Sequence, residues 1–204
     1  MFLELTIKMM HNRIHIKVAI IPARAGSKRL PGKNTKLLAG KPLIDWTIDV
    51  ALESNTFDLI VITTDDESII ERYKTNKRLI VLRRNNELAN DTATSQDVVL
   101  DTLQKLKLTQ GSLCLLQPTS PMRTAANIRE SSALIISNSG KHVDVISYKK
   151  ITDKWQWAKT LDENSYVSGI EEDFKSKLNK CIIPNGAIYW ANIEDFTRSG
   201  GFAD

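Results

Sequence analysis

Cysteine is almost missing from this sequence: Cys114 and Cys181 are the only two in 204 residues. Neither has a Cys or His neighbour at metal-ligand spacing, and two thiols are too few for a disulfide framework. Long hydrophobic runs are lacking as well. None approaches the roughly 20 apolar residues that a membrane helix needs, and the stretch from Met1 to Ile16 is broken by Glu4, Lys8, His11, Asn12 and Arg13, unlike a secretory signal. These absences point to a cytoplasmic protein that neither spans nor binds a membrane. With 9 Gly and 6 Pro, and with no internal repeat or low-complexity segment, fibrous and disordered classes fall away too. What is there, 42% hydrophobic and 25% charged residues in 23.0 kDa, suits one globular domain or one domain carrying an insertion.

Acidic charge is scarce in one place only. The formal net charge is +4, from 28 basic against 24 acidic residues, too small an excess to mark a nucleic-acid protein. Between Arg24 and Lys41, however, every charged residue is Lys or Arg, whereas Asp45 to Asp66 is acidic throughout. No aromatics interleave the cations, as a base-stacking surface would require. The local basicity therefore predicts one anionic ligand site, with no nucleic-acid partner.

Hydrophobic periodicity sets the fold class. Ile16 to Ile21, Leu59 to Thr63, Leu79 to Leu82, Ser112 to Leu116 and Val143 to Ser147 read as short buried strands. Between them, Pro42 to Leu52 (Leu43, Ile44, Thr47, Ile48 and Ala51 on one face), Asp66 to Tyr73, the stretch from Ser95 (Val98, Val99, Thr102, Leu103, Leu106) and the stretch around Ala125, Ile128 and Ile135 read as helices. Thr94 or Ser95 is the predicted N-cap of the third. Such alternation predicts an α/β protein: a mainly parallel, Rossmann-like sheet with helices on both faces. Ligands of such sheets bind beyond the carboxyl ends of the strands, which places Pro22 to Asn34, Thr63 to Glu67 and Gln117 to Arg123 on one rim. The polar stretch from Lys150 to about Lys180 reads as an insertion. Pro184-Asn185-Gly186 reads as a turn feeding a last strand, Ala187 to Trp190. The expected organisation is a nucleotide-binding domain over 17–149 and 183–204, an insertion over 150–182, and an N-terminal extension over 1–16.

The most informative segment is Ile21-Pro-Ala-Arg-Ala-Gly-Ser-Lys-Arg-Leu-Pro-Gly-Lys-Asn34. A glycine loop directly after a buried strand presents backbone N–H groups, and Arg24, Lys28, Arg29 and Lys33 add charge for a polyphosphate. It is not a P-loop: five residues rather than four separate Gly26 from Gly32, and Asn34 stands where Ser or Thr is needed.

Residue by residue, this loop resembles the signature of the CMP-acylneuraminate synthetases, cytidylyltransferases that activate acidic nine-carbon sugars. Arg84-Asn-Asn-Glu-Leu-Ala-Asn-Asp-Thr-Ala-Thr-Ser95, Leu116-Gln-Pro-Thr-Ser-Pro-Met-Arg-Thr124 and Pro184-Asn-Gly-Ala-Ile-Tyr189 are similar to three further motifs of that family, in the same order. The resemblance implies the nucleotide-diphospho-sugar transferase type of fold. It also implies a reaction in which the anomeric hydroxyl of a nonulosonic acid attacks the α-phosphate of CTP, with Mg2+ as cofactor. Arg24, Ala25, Gly26, Ser27, Lys28, Lys33 and Asn34 would hold the triphosphate, Arg24 and Lys33 acting as the catalytic cations. Arg84 and Ser95 would face the nucleoside, and Gln117, Thr119, Asn185 and Tyr189 the sugar. Plainer readings stand beside these: Ser95 as a helix cap alone, Thr119 as turn structure, Tyr189 as core.

The family's magnesium pair, Asp-x-Asp, has no match after Tyr189, so no metal ligand is assigned; Asp65 and Asp66 match a structural strand end. Ile183 stands where sialic-acid members often carry Arg. Two alternatives follow. One is a cytidylyltransferase for 3-deoxy-manno-octulosonate, against which the Gln117 to Pro121 stretch argues; the other is a catalytically inactive nucleotide-binding module. The resemblance further implies a homodimer in which the insertion, with Trp155, Trp157, Tyr166 and Phe174, leans over the partner's sugar site.

Overall fold

The computed structural model describes residues 15–90, 92–137, 143–150, 159–161, 167–169 and 182–202. The N-terminal extension up to residue 14 and the insertion's Trp155, Trp157, Tyr166 and Phe174 lie outside them.

β1 (Lys17–Pro22) is followed by a two-residue pair, β2 (Leu37–Leu38) and β3 (Lys41–Pro42). The sequence pattern did not announce that hairpin; its turn residues Ala39 and Gly40 both take positive φ, 50° and 80°, as tight hairpin turns demand. Then come α1 (Leu43–Ser54), β4 (Leu59–Thr64), α2 (Glu67–Tyr73), β5 (Ile80–Arg83), a single 3-10 turn at Asn86–Leu88, α3 (Ser95–Lys105), β6 (Ser112–Leu115) and α4 (Ala125–Ser137). β7 (Val145–Lys150), β8 (Lys159–Leu161), β9 (Val167–Gly169), β10 (Ile182–Asn192) and α5 (Ile193–Ser199) complete the described elements.

The chain divides into two units, Met1–Ile146 with Gly186–Asp204, and Ser147–Asn185. In the second, β8 and β9 pair antiparallel, and Ser147 Oγ donates to Asn185 Oδ1 at 2.6 Å.

The main sheet has the strand order β5-β4-β1-β6-β10-β7. β1 runs parallel to β4 and β6, β4 parallel to β5, and β10 antiparallel to β6. Because side chains alternate along a strand, β1 sends Ala19 and Ile21 to one face and Val18 and Ile20 to the other. The first pair packs with Ile44, Ile48 and Ala51 of α1, Ile69 of α2 and Ile128 of α4; the second packs with Val99 and Leu103 of α3 and Phe196 of α5. All four β1 side chains are fully buried, and Val18, Ile20 and Ile21 each stabilise the fold by about 1.5 to 3 kcal/mol. The expectation of helices on both faces of a mainly parallel sheet is met.

One expectation fails. Pro184-Asn185-Gly186 is no turn between strands: β10 runs unbroken from Ile182 to Asn192. Gly186 absorbs the local bend at φ +78°, so a turn-like triplet sits inside a strand that changes direction without ending. The sheet order reverses between β1 and β6, whose successors lie on opposite sides, and this switch point opens a crevice at their carboxyl ends.

Candidate active site

A cavity of about 230 Å³ lies at that crevice, lined by Pro22, Arg24, Ser27, Lys33, Asn34, Arg84, Ala93, Thr94, Ser95, Val98, Gln117, Pro118 and Thr119. Eight of the sequence-derived candidates are thereby brought together: Arg24, Ser27, Lys33, Asn34, Arg84, Ser95, Gln117 and Thr119. Ala25, Gly26 and Lys28 belong to the same loop without lining the cavity. Asn185 lies in the second unit, bonded to Ser147 and donating to the Tyr148 carbonyl at 3.4 Å. Tyr189 is half-buried in the α3 and α5 face of the core, its ring 5.3 Å from that of Phe202. A larger hollow of about 560 Å³ sits at the other end of the strands, between Leu52, Phe57 and Leu79. Its Lys74 is paired with Glu71 and its Arg78 donates to the Leu52 carbonyl at 3.4 Å. The smaller cavity, with cations convergent at strand ends, is the one shaped for an anionic ligand.

The basic loop is held from beneath. The Ala25 amide donates to Asp65 Oδ1 at 2.9 Å, the Ser27 amide to the Ala25 carbonyl at 2.9 Å, and the buried Asn34 donates through Nδ2 to the Arg24 carbonyl at 3.0 Å. The Ala25 and Ser27 amides are therefore spent within the protein, and the side chains of Arg24, Ser27 and Lys33 line the cavity. Arg24 Nη1 donates to the Asn90 carbonyl at 2.7 Å, tying the loop to the segment that leads into α3.

Arg84 stands in the cavity wall with only 5% of its surface exposed. Its Nη2 donates to the Thr63 carbonyl at 3.0 Å, and its Nε is buried with no hydrogen-bond partner among the described residues. Burial pushes its pKa below the ordinary arginine value, with Asp65 pulling the other way. An unpartnered buried donor in a cavity wall fits a site that expects an acceptor from a ligand.

At the start of α3 the cap is Thr94, which accepts the Asp97 amide at 3.1 Å while Asp97 accepts the Thr94 amide at 2.8 Å. Ser95 is thus not the cap, and its exposed hydroxyl is not consumed by the helix end.

Asp65, matched from sequence to a structural strand end, supports the loop as such a residue would. Arg123 was not singled out; 5% exposed, it donates to the Gln117 carbonyl (2.8 Å), the Ala187 carbonyl (2.8 Å) and Thr47 Oγ1 (3.3 Å). It fastens the Gln117–Thr119 wall to β10 and α1. A Cβ at Gly186 would stand 3.2 Å from Gln117 Oε1, so the glycine also leaves room for that side chain. Among the described residues no group of three His, Cys, Asp or Glu side chains could hold a metal ion. Cys114 is buried in β6, and burial pushes its thiol pKa up, away from nucleophile chemistry.

The family profile described as cytidylyltransferase matches residues 18–176 of this chain. The chain belongs to the cytidylyltransferase family. It is 38% identical over 192 residues to the CMP-N,N'-diacetyllegionaminic acid synthase of Legionella pneumophila, covering 91% of this chain and 82% of that one. It is 36% identical over 191 residues to the N-acylneuraminate cytidylyltransferase of Streptococcus agalactiae, covering 91% of this chain but 45% of the relative, so it spans less than half of that protein. Among solved structures, a CMP:2-keto-3-deoxy-manno-octonic acid synthetase complexed with CTP superposes with a TM-score of 0.63 at 20% identity, over 90% of this chain and 77% of that one. That likeness bears on the fold: the mainly parallel sheet with helices on both faces is shared. No helix among its described residues is long and apolar enough to cross a membrane.

Proposed function

We propose that the protein transfers the cytidylyl group of CTP to the anomeric hydroxyl of a nonulosonic acid, releasing pyrophosphate. The observation that carries this reading is the strand-end cavity whose lining brings Arg24, Lys33 and Arg84 together with Gln117 and Thr119. In the reaction the anomeric oxygen forms a bond to the α-phosphorus and gives up its proton to water, as the bridging bond to the β-phosphate breaks and its electron pair leaves with pyrophosphate. Arg24 and Lys33 stabilise that growing charge: the guanidinium offers a fork, the ammonium a point charge. Arg84 and Ser95 read the nucleoside, while Gln117 and Thr119 meet the acidic sugar. The ring packing of Tyr189 supports its plainer reading as core.

The relatives' names support an N-acylneuraminate or a diacetyllegionaminate as acceptor. Pyrophosphate release from CTP, against ATP, GTP and UTP, with N-acetylneuraminate, diacetyllegionaminate and 3-deoxy-manno-octulosonate tests the reading. CTP-specific turnover with a nine-carbon acid is expected. Preference for the eight-carbon acid, or CTP binding without turnover, would replace it with the corresponding alternative.

Magnesium is part of the proposal, supplying charge to the leaving pyrophosphate when bound. The described residues do not fit a protein-built cage for it, since no group of three candidate ligands is present among them. A homodimer with the 150–182 insertion reaching the partner's site is likewise proposed. Sedimentation at micromolar concentration is expected to give a dimer, and a fully active monomer would refute it.

A further inference from the structure

The residues that close β4 hold up both ligand-facing loops. The Thr63 carbonyl accepts the Ala23 amide at 2.9 Å and Arg84 Nη2 at 3.0 Å. The Thr64 carbonyl accepts the Arg84 amide at 2.8 Å, and the Thr64 hydroxyl donates to the Ala23 carbonyl at 2.5 Å. Asp65 Oδ1 accepts the Ala25 amide at 2.9 Å. None of the three lines the cavity, yet the Arg24–Asn34 loop and Arg84 both hang from them.

Asp65 carries the wrong charge for this neighbourhood. A carboxylate close beneath cations that gather for a polyphosphate repels that ligand. Its cost to binding calls for a compensating role, and the geometry supplies one. A hydrogen bond from a backbone amide to a carboxylate is shorter and stronger than a neutral one. Here it pins the first residue after Arg24, and so fixes how the basic loop leaves β1 and turns its side chains into the cavity. Beside it lies the buried Arg84, whose Nε has no partner, and the same negative charge offsets that guanidinium.

We propose that Asp65 is a positioning residue of the nucleotide site: by holding the Ala25 amide it sets the loop geometry that binds the triphosphate, without touching the ligand itself. The proposal rests on the cytidylyltransferase reading. CTP is titrated calorimetrically into the wild type, Asp65→Ala and Asp65→Asn, with unfolding midpoints and the KM for the acidic sugar measured in parallel. Asp65→Ala is expected to weaken CTP binding by about ten- to a hundredfold, the loss of one charge-assisted hydrogen bond. Asp65→Asn keeps an acceptor oxygen for Ala25 and is expected to stay within about threefold of the wild type. The sugar KM stays unchanged in both, whereas a general loosening of the fold would move it together with CTP affinity. Wild-type CTP affinity in Asp65→Ala, or an Asp65→Asn variant as weak as Asp65→Ala, overturns the role. Should Asp65→Ala fail to fold, Asp65→Asn decides alone: near-wild-type affinity supports the acceptor role, and a tenfold loss overturns it. A wild type that takes up no CTP removes the cytidylyltransferase reading itself, which is a distinguishable failure.

Discussion

Arg123→Met sets two opposing effects against each other, and the structure supplies a magnitude for each. In favour of the variant, a buried charge disappears. Burial pushes the Arg123 pKa from 12.5 down to about 10, which corresponds to roughly 3 kcal/mol of disfavoured charge. Against it, three hydrogen bonds are lost. The bonds to the Gln117 and Ala187 carbonyls are both 2.8 Å long, and the third, to Thr47 Oγ1, is 3.3 Å. At about 1.5 to 3 kcal/mol for a bond from a charged donor, the two short ones together stabilise by about 3 to 6 kcal/mol. Methionine also takes the strongest donor from the Gln117 carbonyl, which keeps only the Ser120 amide at 3.3 Å.

The bonds win by a modest margin, and a net loss of about 2 kcal/mol is expected. For a chain of this size that lowers the thermal midpoint by roughly 4 to 8 °C, measurable by circular dichroism, with urea unfolding at unchanged slope as the check that the denatured state is the same. Arg123→Lys is expected to do no better, because it keeps a buried charge while a single ammonium cannot reproduce the guanidinium's fork. A methionine variant as stable as the wild type, or more so, would show that desolvation outweighs the bonds, and the reasoning about this residue would be wrong. The same substitution frees the Gln117–Thr119 wall, so the acceptor's KM is expected to rise more than that of CTP.

Lys33→Ala is expected to weaken use of CTP by roughly ten- to a hundredfold with little change in unfolding midpoint, since the side chain lines the cavity as a charge and not as packing. Wild-type turnover in that variant would remove Lys33 from the site. Thr94→Ala and Ser95→Ala are expected to differ in stability: loss of the N-cap lowers it by about 1 kcal/mol, whereas Ser95→Ala leaves the midpoint alone and reduces CTP affinity. The opposite pattern in melts and titrations would exchange their roles.

The sequence carried the strands and long helices because their signals are local. Val18 to Ile21 is uninterrupted hydrophobe, and Ile44, Ile48 and Ala51 recur at helical spacing, so burial follows from pattern alone. The seven-residue α2 was legible, but the β2–β3 hairpin and α5 escaped for want of a period. α5 has only Ile193 and Phe196 buried, yet its punctuation was present: Asn192 accepts from the Glu194 and Asp195 amides, acids fill the first turn, and Gly200 closes it at φ +79°. Pro184-Asn185-Gly186 misled because turn residues also serve where a strand bends. Of the site, the residues that meet the cavity lay in contiguous motifs. Asp65 and Arg123 act on segments 40 and 64 positions away, and no local pattern encodes such a partner.

Depth separates residues that the sequence presents alike. Arg24, Arg84 and Arg123 all read as cations in basic or polar motifs, but Arg24 is part-exposed at the mouth of the cavity, whereas the other two are each 5% exposed. Arg24 gives one bond to the Asn90 carbonyl yet stays part-exposed, so its removal is expected to cost affinity more than stability. A buried cation has already lost its water on folding, and its removal breaks the short bonds that join neighbouring segments, so stability and geometry suffer first. Arg84 combines both conditions: its Nη2 is satisfied by Thr63, while its buried Nε still lacks a partner among the described residues. It follows that ligand binding and folding are coupled through Arg84 more strongly than through Arg24. A nucleotide acceptor that reaches Nε would complete a shell the fold leaves open, and so stabilise the protein by more than its contacts at the cavity mouth alone provide.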